Sequence, residues 1–148
     1  MGDKLRHGQN AGTEVLTGQA VGESNFVGVY FGAHWAPPCR KFTTSLKKNY
    51  SEANAAAKQL EVIFCSSDGN EEAFVRNYND MEWFAIDFND QARKQSLSQL
   101  YGIMELPTLV ILDRNGRVIS LTGDKDLKEG TDKAIENWEK SRSELDKN

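Results

Sequence analysis

The sequence predicts an α/β domain built on a central mixed β-sheet with helices on both faces, and three features carry that prediction. An apolar run at residues 26–31 is followed by a long stripe at helical spacing and then by a second apolar run at residues 62–65, the pattern of a βαβ unit. Such a unit calls for parallel strands and a right-handed crossover. Later, Leu109-Val110-Ile111-Leu112 and Val118-Ile119-Ser120-Leu121 flank Asp113-Arg114-Asn115-Gly116, a turn that joins antiparallel strands. At 148 residues the chain fills one core, and no linker, repeat or low-complexity run divides it.

Residues 1–25 are rich in Gly and polar side chains, broken by Val15-Leu16 and Ala20-Val21, and predict an edge hairpin or loop leading into the domain. Phe26-Val27-Gly28-Val29-Tyr30-Phe31 reads as a strand buried on both faces, ending at Gly32-Ala33. After Pro37-Pro38, the residues Cys39, Phe42, Leu46, Tyr50, Ala53, Ala57 and Leu60 recur in steps of three or four. That is one face of a helix about six turns long, whose first turn tolerates proline and whose other faces carry Lys41, Lys47 and Lys48. Cys39 shares the stripe and is therefore expected to be buried.

Val62-Ile63-Phe64-Cys65 is a second buried strand, and Ser66-Ser67-Asp68 reads as the N-cap of a helix. Glu71 and Glu72 suit its first turn, with Phe74, Val75 and Tyr78 facing inward. Trp83-Phe84-Ala85-Ile86 is apolar but does not declare its class, and residues 92–101 form a helix closed by Gly102. Residues 126–148 predict a terminal helix that places Ala134, Ile135, Trp138 and Leu145 at helical spacing to cover one sheet face.

Eighteen basic and 22 acidic side chains, a net charge of −4, are interspersed and leave no footprint for a phosphate backbone, so nucleic acid is not expected as a partner. No stretch approaches the ~20 apolar residues of a membrane span. The opening residues lack the apolar core of a signal peptide, and Arg6 stands where a myristoylation signal needs Ser or Thr. A soluble, intracellular chain is expected. The two cysteines, Cys39 and Cys65, are too few for a disulfide scaffold, and no Cys/His spacing suggests zinc; neither metal nor cofactor is called for.

Trp35-Ala36-Pro37-Pro38-Cys39-Arg40 falls between a buried strand and the start of the long helix. Unpaired backbone N–H groups and the positive end of the helix dipole are expected there, and both stabilise a thiolate. A cysteine so placed becomes a nucleophile because its pKa falls. A Cys-x-x-Cys loop, however, needs sulfurs at positions 36 and 39, and position 36 is alanine.

Trp35-Ala-Pro-Pro-Cys-Arg40 followed by Phe42-Thr43 resembles the Trp-Cys-Pro-Pro-Cys-Arg signature of the tryparedoxin and nucleoredoxin branch of the thioredoxin superfamily. Lys4-Leu5-Arg6, Tyr30-Phe31, Val62-Ile63-Phe64-Cys65 with Asp68, Glu71 and Glu72, Met81-Glu82-Trp83 and Leu106-Pro107-Thr108-Leu109 agree with it, over roughly residues 4–125. The resemblance implies a single thioredoxin-like domain over residues 1–148, with a cis Pro107 facing the loop and Leu106 offering backbone groups to a bound peptide.

It further implies a protein-disulfide reductase acting on proteins such as peroxiredoxins, with a low-molecular-weight dithiol or a reductase as donor. A monomer in a reducing compartment, cytoplasmic or nuclear, is expected. In that pattern Ala36 occupies the place of the attacking cysteine and Cys39 the resolving position, while Trp35, Pro37, Pro38, Arg40, Leu106 and Pro107 flank the substrate. The chain as written should not run a dithiol cycle. An engineered substitution and a natural redox-dead paralogue that binds a partner through the same groove would read alike.

Plainer roles suit the remaining candidates. Cys65 closes an apolar strand and reads as a small hydrophobe, with a minor allowance for redox chemistry at a strand end. His34 reads as a partly exposed loop residue, and Trp83 and Trp138 as packing aromatics.

Overall fold

The computed structural model describes residues 24–147 and the backbone of two earlier strands, β1 (Lys4–His7) and β2 (Asn10–Leu16), which pair antiparallel. Then follow β3 (Phe26–Gly32), α1 (Pro37–Ala53), β4 (Leu60–Ser66), α2 (Glu71–Tyr78), β5 (Phe84–Ala85), α3 (Gln91–Leu100), β6 (Thr108–Asp113) and β7 (Val118–Ser120). A short helix α4 (Gly123–Asp126), a 3₁₀ turn at Leu127–Glu129 and the helix α5 (Thr131–Asp146) complete the chain. Ala20-Val21 lies outside the described residues.

Strands pair in the order β2-β1-β5-β4-β3-β6-β7. The interior strand β3 runs parallel to β4, with Phe31 opposite Cys65, and antiparallel to β6, with Phe31 opposite Thr108. Every residue of β3 and β4 is buried, as their unbroken apolar runs predict.

Alternation divides the side chains between two cores. On one face Phe26, Tyr30, Leu60 and Phe64 meet Leu46 of α1, Phe74 and Tyr78 of α2 and Trp138 of α5. On the other, Val27, Val29, Phe31, Ile63 and Cys65 meet Leu97 of α3. This is the thioredoxin fold, a central mixed sheet flanked by helices on both faces. Both Trp83 and Trp138 are interior residues, the latter edge-on to Phe26 with ring centroids 5.8 Å apart.

Several elements depart from expectation. Helix α1 ends at Ala53, well short of Leu60, because Asn54 turns the chain: its Oδ1 accepts from the N–H groups of Gln59 (2.9 Å) and Leu60 (3.0 Å), and its Nδ2 donates to the Leu60 carbonyl (2.9 Å). Ala57 is left exposed in that turn and Leu60 starts β4. The N-cap of α2 is Asn70, whose Oδ1 accepts from Ala73 N–H at 2.8 Å, and not the Ser66–Asp68 stretch.

The unclassified apolar piece supplies β5, which pairs Phe84 with Ile63 and Ala85 with Phe64. In the β6–β7 turn, Gly116 takes φ +85°, and the buried Asp113 carboxylate organises the loop by accepting from Asn115 N–H (2.9 Å) and Arg117 N–H (3.0 Å). Near the end of α5, Asp146 forms an ion pair with Arg117 at 2.6 Å, and Leu145 remains exposed.

Candidate active site

The loop after β3 begins with a tight approach. A Cβ on Gly32 would lie 2.7 Å from the ring of Tyr30, so glycine is needed for the chain to pass that ring. The Gly32 carbonyl accepts from Ser67 N–H at 2.9 Å, tying the loop to the segment that leaves β4.

Ala36 is the N-cap of α1, with φ −96° and ψ 111° and no side chain able to cap. Its carbonyl accepts from Cys39 N–H at 2.9 Å and Arg40 N–H at 3.3 Å, and its own N–H donates to Ala33 at 3.3 Å. Pro37 and Pro38 carry no N–H. The unpaired N–H groups expected from sequence are therefore absent from residues 36–40, and the helix dipole is what remains at position 36.

Ala36 is 7% exposed and Cys39 is 2% exposed. Burial pushes the Cys39 thiol up, and the Asp68 carboxylate adds to the rise; a backbone hydrogen bond from Ala33, the Arg40 charge and the Tyr30 hydroxyl pull the other way. Beneath the loop, Tyr30 Oη donates to the Cys39 carbonyl at 3.1 Å and lies 2.8 Å from Thr43 Oγ1. Burial holds that phenol far above its ordinary pKa, so it stays a neutral donor.

The segment after β4 forms the second wall. Asp68 is buried; its Oδ1 accepts from His34 N–H at 2.8 Å, and its Oδ2 accepts from Ser66 Oγ at 2.6 Å and Asn77 Nδ2 at 3.4 Å. Trp35 is 64% exposed, yet its Nε1 donates to the Ser67 carbonyl at 3.1 Å, which fixes the indole at the rim. His34 is exposed, and its carbonyl accepts from Arg40 Nη1 at 2.5 Å.

Pro107 supplies the third part through the cis Leu106–Pro107 peptide. Pro38, Phe42, Leu106, Pro107 and Leu127 help line a groove of about 1260 Å³ that runs from this corner along α1 to the start of α5. Of the residues singled out from sequence, Pro38, Leu106 and Pro107 thus share the groove, while Trp35 is exposed on the adjoining loop and Pro37 and Arg40 on the first turn of α1.

Cys65 lies apart. It belongs to the core on the opposite sheet face from Tyr30, and both cysteines are free thiols. Burial drives the Cys65 thiol up to about 12, although the Lys94 cation acts to lower it. Lys94 is buried with its Nζ 3.9 Å from the Phe88 ring centroid, and burial depresses its pKa.

Sequence reading missed Thr43, Lys94 and the true role of Asp68. Thr43 and Lys94 look like ordinary polar helix positions, and Asp68 binds a residue 34 positions away. Among the described residues there is no cluster of three or more metal-ligating side chains, and no helix is long and apolar enough to cross a membrane.

A family model described as thioredoxin-like matches residues 24–118. Tryparedoxin from Trypanosoma brucei superposes with a TM-score of 0.80 at 32% identity, covering 92% of this chain and 91% of that one. The chain belongs to the thioredoxin-like family. Within it, this thioredoxin-like protein is a tryparedoxin- and nucleoredoxin-like member.

Human nucleoredoxin is 45% identical over 101 residues, which are 68% of this chain and 23% of nucleoredoxin. The zebrafish protein is 38% identical over 116 residues, 78% of this chain and 28% of that protein, so this thioredoxin-like chain spans about a quarter of these curated relatives. A tryparedoxin II complexed with glutathionylspermidine has a TM-score of 0.78 at 26% identity, covering 89% of each chain.

Proposed function

We propose that this chain has the frame of a tryparedoxin- or nucleoredoxin-like protein-disulfide reductase in which Ala36 fills the attacking cysteine's position, leaving it inactive or strongly impaired as written. The observation that carries this reading is the pairing of Ala36, at the start of α1, with a single nearby thiol, Cys39, that is 2% exposed and disfavoured as a thiolate. In a dithiol cycle, one thiolate attacks a substrate sulfur and expels the other as a thiolate, giving a mixed disulfide. A second thiolate then attacks that mixed disulfide, releases the reduced substrate and closes an intramolecular disulfide. Here Cys39 has no mixed disulfide to resolve, and its burial opposes direct attack.

By family likeness the substrate is a disulfide-bearing protein of the peroxiredoxin kind, held along Trp35, Pro37, Pro38 and Arg40 with Leu106-Pro107 opposite. The donor is a low-molecular-weight dithiol or a reductase; the tryparedoxin II complex with glutathionylspermidine, a small monothiol, supports a low-molecular-weight thiol compound at this site. A reducing compartment, cytoplasmic or nuclear, suits this chemistry.

The test is Ala36→Cys assayed with a disulfide-containing protein and a dithiol donor. Turnover rising from background, together with an oxidised form carrying a 36–39 disulfide, is expected. A variant that forms no such disulfide and reduces nothing sinks the reading. The exposed but pinned Trp35 supports a second reading, a module that grips a partner peptide without turnover. Capture of a disulfide-free peptide by the parent chain, lost in Trp35→Ala, together with an inert Ala36→Cys variant, would favour it.

A further inference from the structure

The backbone of His34 is held at both of its polar groups by opposite charges. Its N–H donates to the buried Asp68 carboxylate at 2.8 Å, and its carbonyl accepts from the Arg40 guanidinium at 2.5 Å. Two further bonds join the same walls: Ser67 N–H to the Gly32 carbonyl at 2.9 Å and Trp35 Nε1 to the Ser67 carbonyl at 3.1 Å. The carboxylate is itself held by Ser66 Oγ and Asn77 Nδ2, so it is a fixed anchor.

This is more polar machinery than a four-residue connection needs. Ala33 is buried and Ala36 nearly so, and the turn already closes through the 3.3 Å bond from Ala36 N–H to Ala33. Charge-assisted hydrogen bonds are shorter and stronger than neutral ones. Their effect here is to fix residues 34 and 35, and with them the indole at the groove's rim and the position that opens α1.

We propose that Asp68 is a positioning residue which, with Arg40 opposite, clamps the His34 backbone and thereby sets both the placement of Trp35 and the charge felt at position 36. The inference deepens the reductase reading and rests on it for its kinetic consequence. The clamp itself does not depend on turnover. The ionisable groups around the loop are Tyr30 from β3, His34 in the loop, Cys39 and Arg40 from α1, Asp68 after β4 and, within reach of the Asp68 charge from α3, Lys94. Asp68 is the negative one, so its removal and that of Arg40 should act in opposite directions.

Two measurements test this. In an Ala36→Cys background, the thiolate absorbance of position 36 is titrated in three forms: unchanged, Asp68→Asn and Arg40→Gln. Asp68→Asn keeps an acceptor for His34 N–H while removing the charge, and is expected to lower the midpoint by about 0.5–1 pH unit; Arg40→Gln is expected to raise it. In the chain as it stands, Asp68→Ala should make Trp35, the exposed one of the three tryptophans, more accessible to acrylamide quenching.

Where Ala36→Cys turns over, Asp68→Ala should raise KM several-fold with kcat within about twofold. Arg40 lies on the surface, so Arg40→Gln keeps the test open even if the Asp68 variants fold poorly. An inert Ala36→Cys protein whose midpoints still move in opposite directions would sink the reductase reading and leave the clamp standing. Midpoints that stay put in the folded variants, with quenching unchanged, would overturn the clamp.

Discussion

Raising the pH should destabilise this protein in part through a thiol outside the candidate active site. Cys65 lies in β4, 2% exposed, and burial lifts its pKa from an ordinary 9.0 to about 12. Between those values the unfolded chain gives up a proton that the folded chain keeps, so stability falls as pH rises. The contribution is fully present below pH 9.0 and is lost progressively on the way to about 12.

At about 1.4 kcal/mol per unit, the loss is roughly 2 kcal/mol by pH 10.5 and about 4 kcal/mol by pH 12. Against a typical total of about 5–15 kcal/mol this is large. Tyr30, Tyr50, Tyr101 and Cys39 are also raised and act in the same direction, while the depressed pKa of Lys94 acts in the opposite one. Cys65→Ala keeps all of those groups, so the difference between the two proteins reports mainly Cys65. The assay is urea unfolding followed by tryptophan fluorescence at half-unit steps from pH 8 to 10.5. The variant starts lower, by about 1 kcal/mol for the lost packing, and its stability should decline less, by roughly 2 kcal/mol over the range. Parallel declines would refute the reasoning.

Cys39 should react slowly with a thiol reagent in the native protein at neutral pH and quickly in denaturant, as mass spectrometry of labelled peptides would show; fast native labelling contradicts the buried assignment. Tyr30→Phe removes the hydroxyl shared by Thr43 and the Cys39 carbonyl, and should cost about 1–2 kcal/mol in a denaturant titration without changing the fold seen by circular dichroism. Gly123→Ala would place a methyl group 2.8 Å from Ile111 Cγ1 and 2.9 Å from the Leu109 carbonyl, prising α4 from β6; a loss of about 1–3 kcal/mol is expected, and an unchanged unfolding midpoint would show that α4 yields freely.

The main layers were legible because burial imposes a period. The unbroken runs of β3 and β4 and the three-to-four spacing along α1 follow directly from which faces meet the core. The end of α1 was not legible, since residues 53–57 keep helical spacing and the stop depends on one amide side chain reaching the backbone of Gln59 and Leu60. A two-residue strand such as β5 is too short to show any period. At the site, the loop and Pro107 could be read as motifs, whereas Asp68 resembled a local cap and instead serves a residue on another element. Such long-range pairings leave no mark in local sequence.

The two arms of the candidate site, Trp35–Pro38 and Leu106–Pro107, are about 70 residues apart in the chain and meet because Phe31 stands opposite Thr108. The sheet therefore acts as a ruler for the site. An insertion in α3 or in the turn after α1 changes the length of chain between the arms without changing their separation. One residue inserted within β6 would slide Pro107 by about 3.4 Å and exchange Leu109 and Ile111, which face one core, with Val110 and Leu112, which face the other. The separation of the two arms is thus governed by strand registry at Val29 and Val110, deep in the sheet, as much as by the residues on the surface of the site.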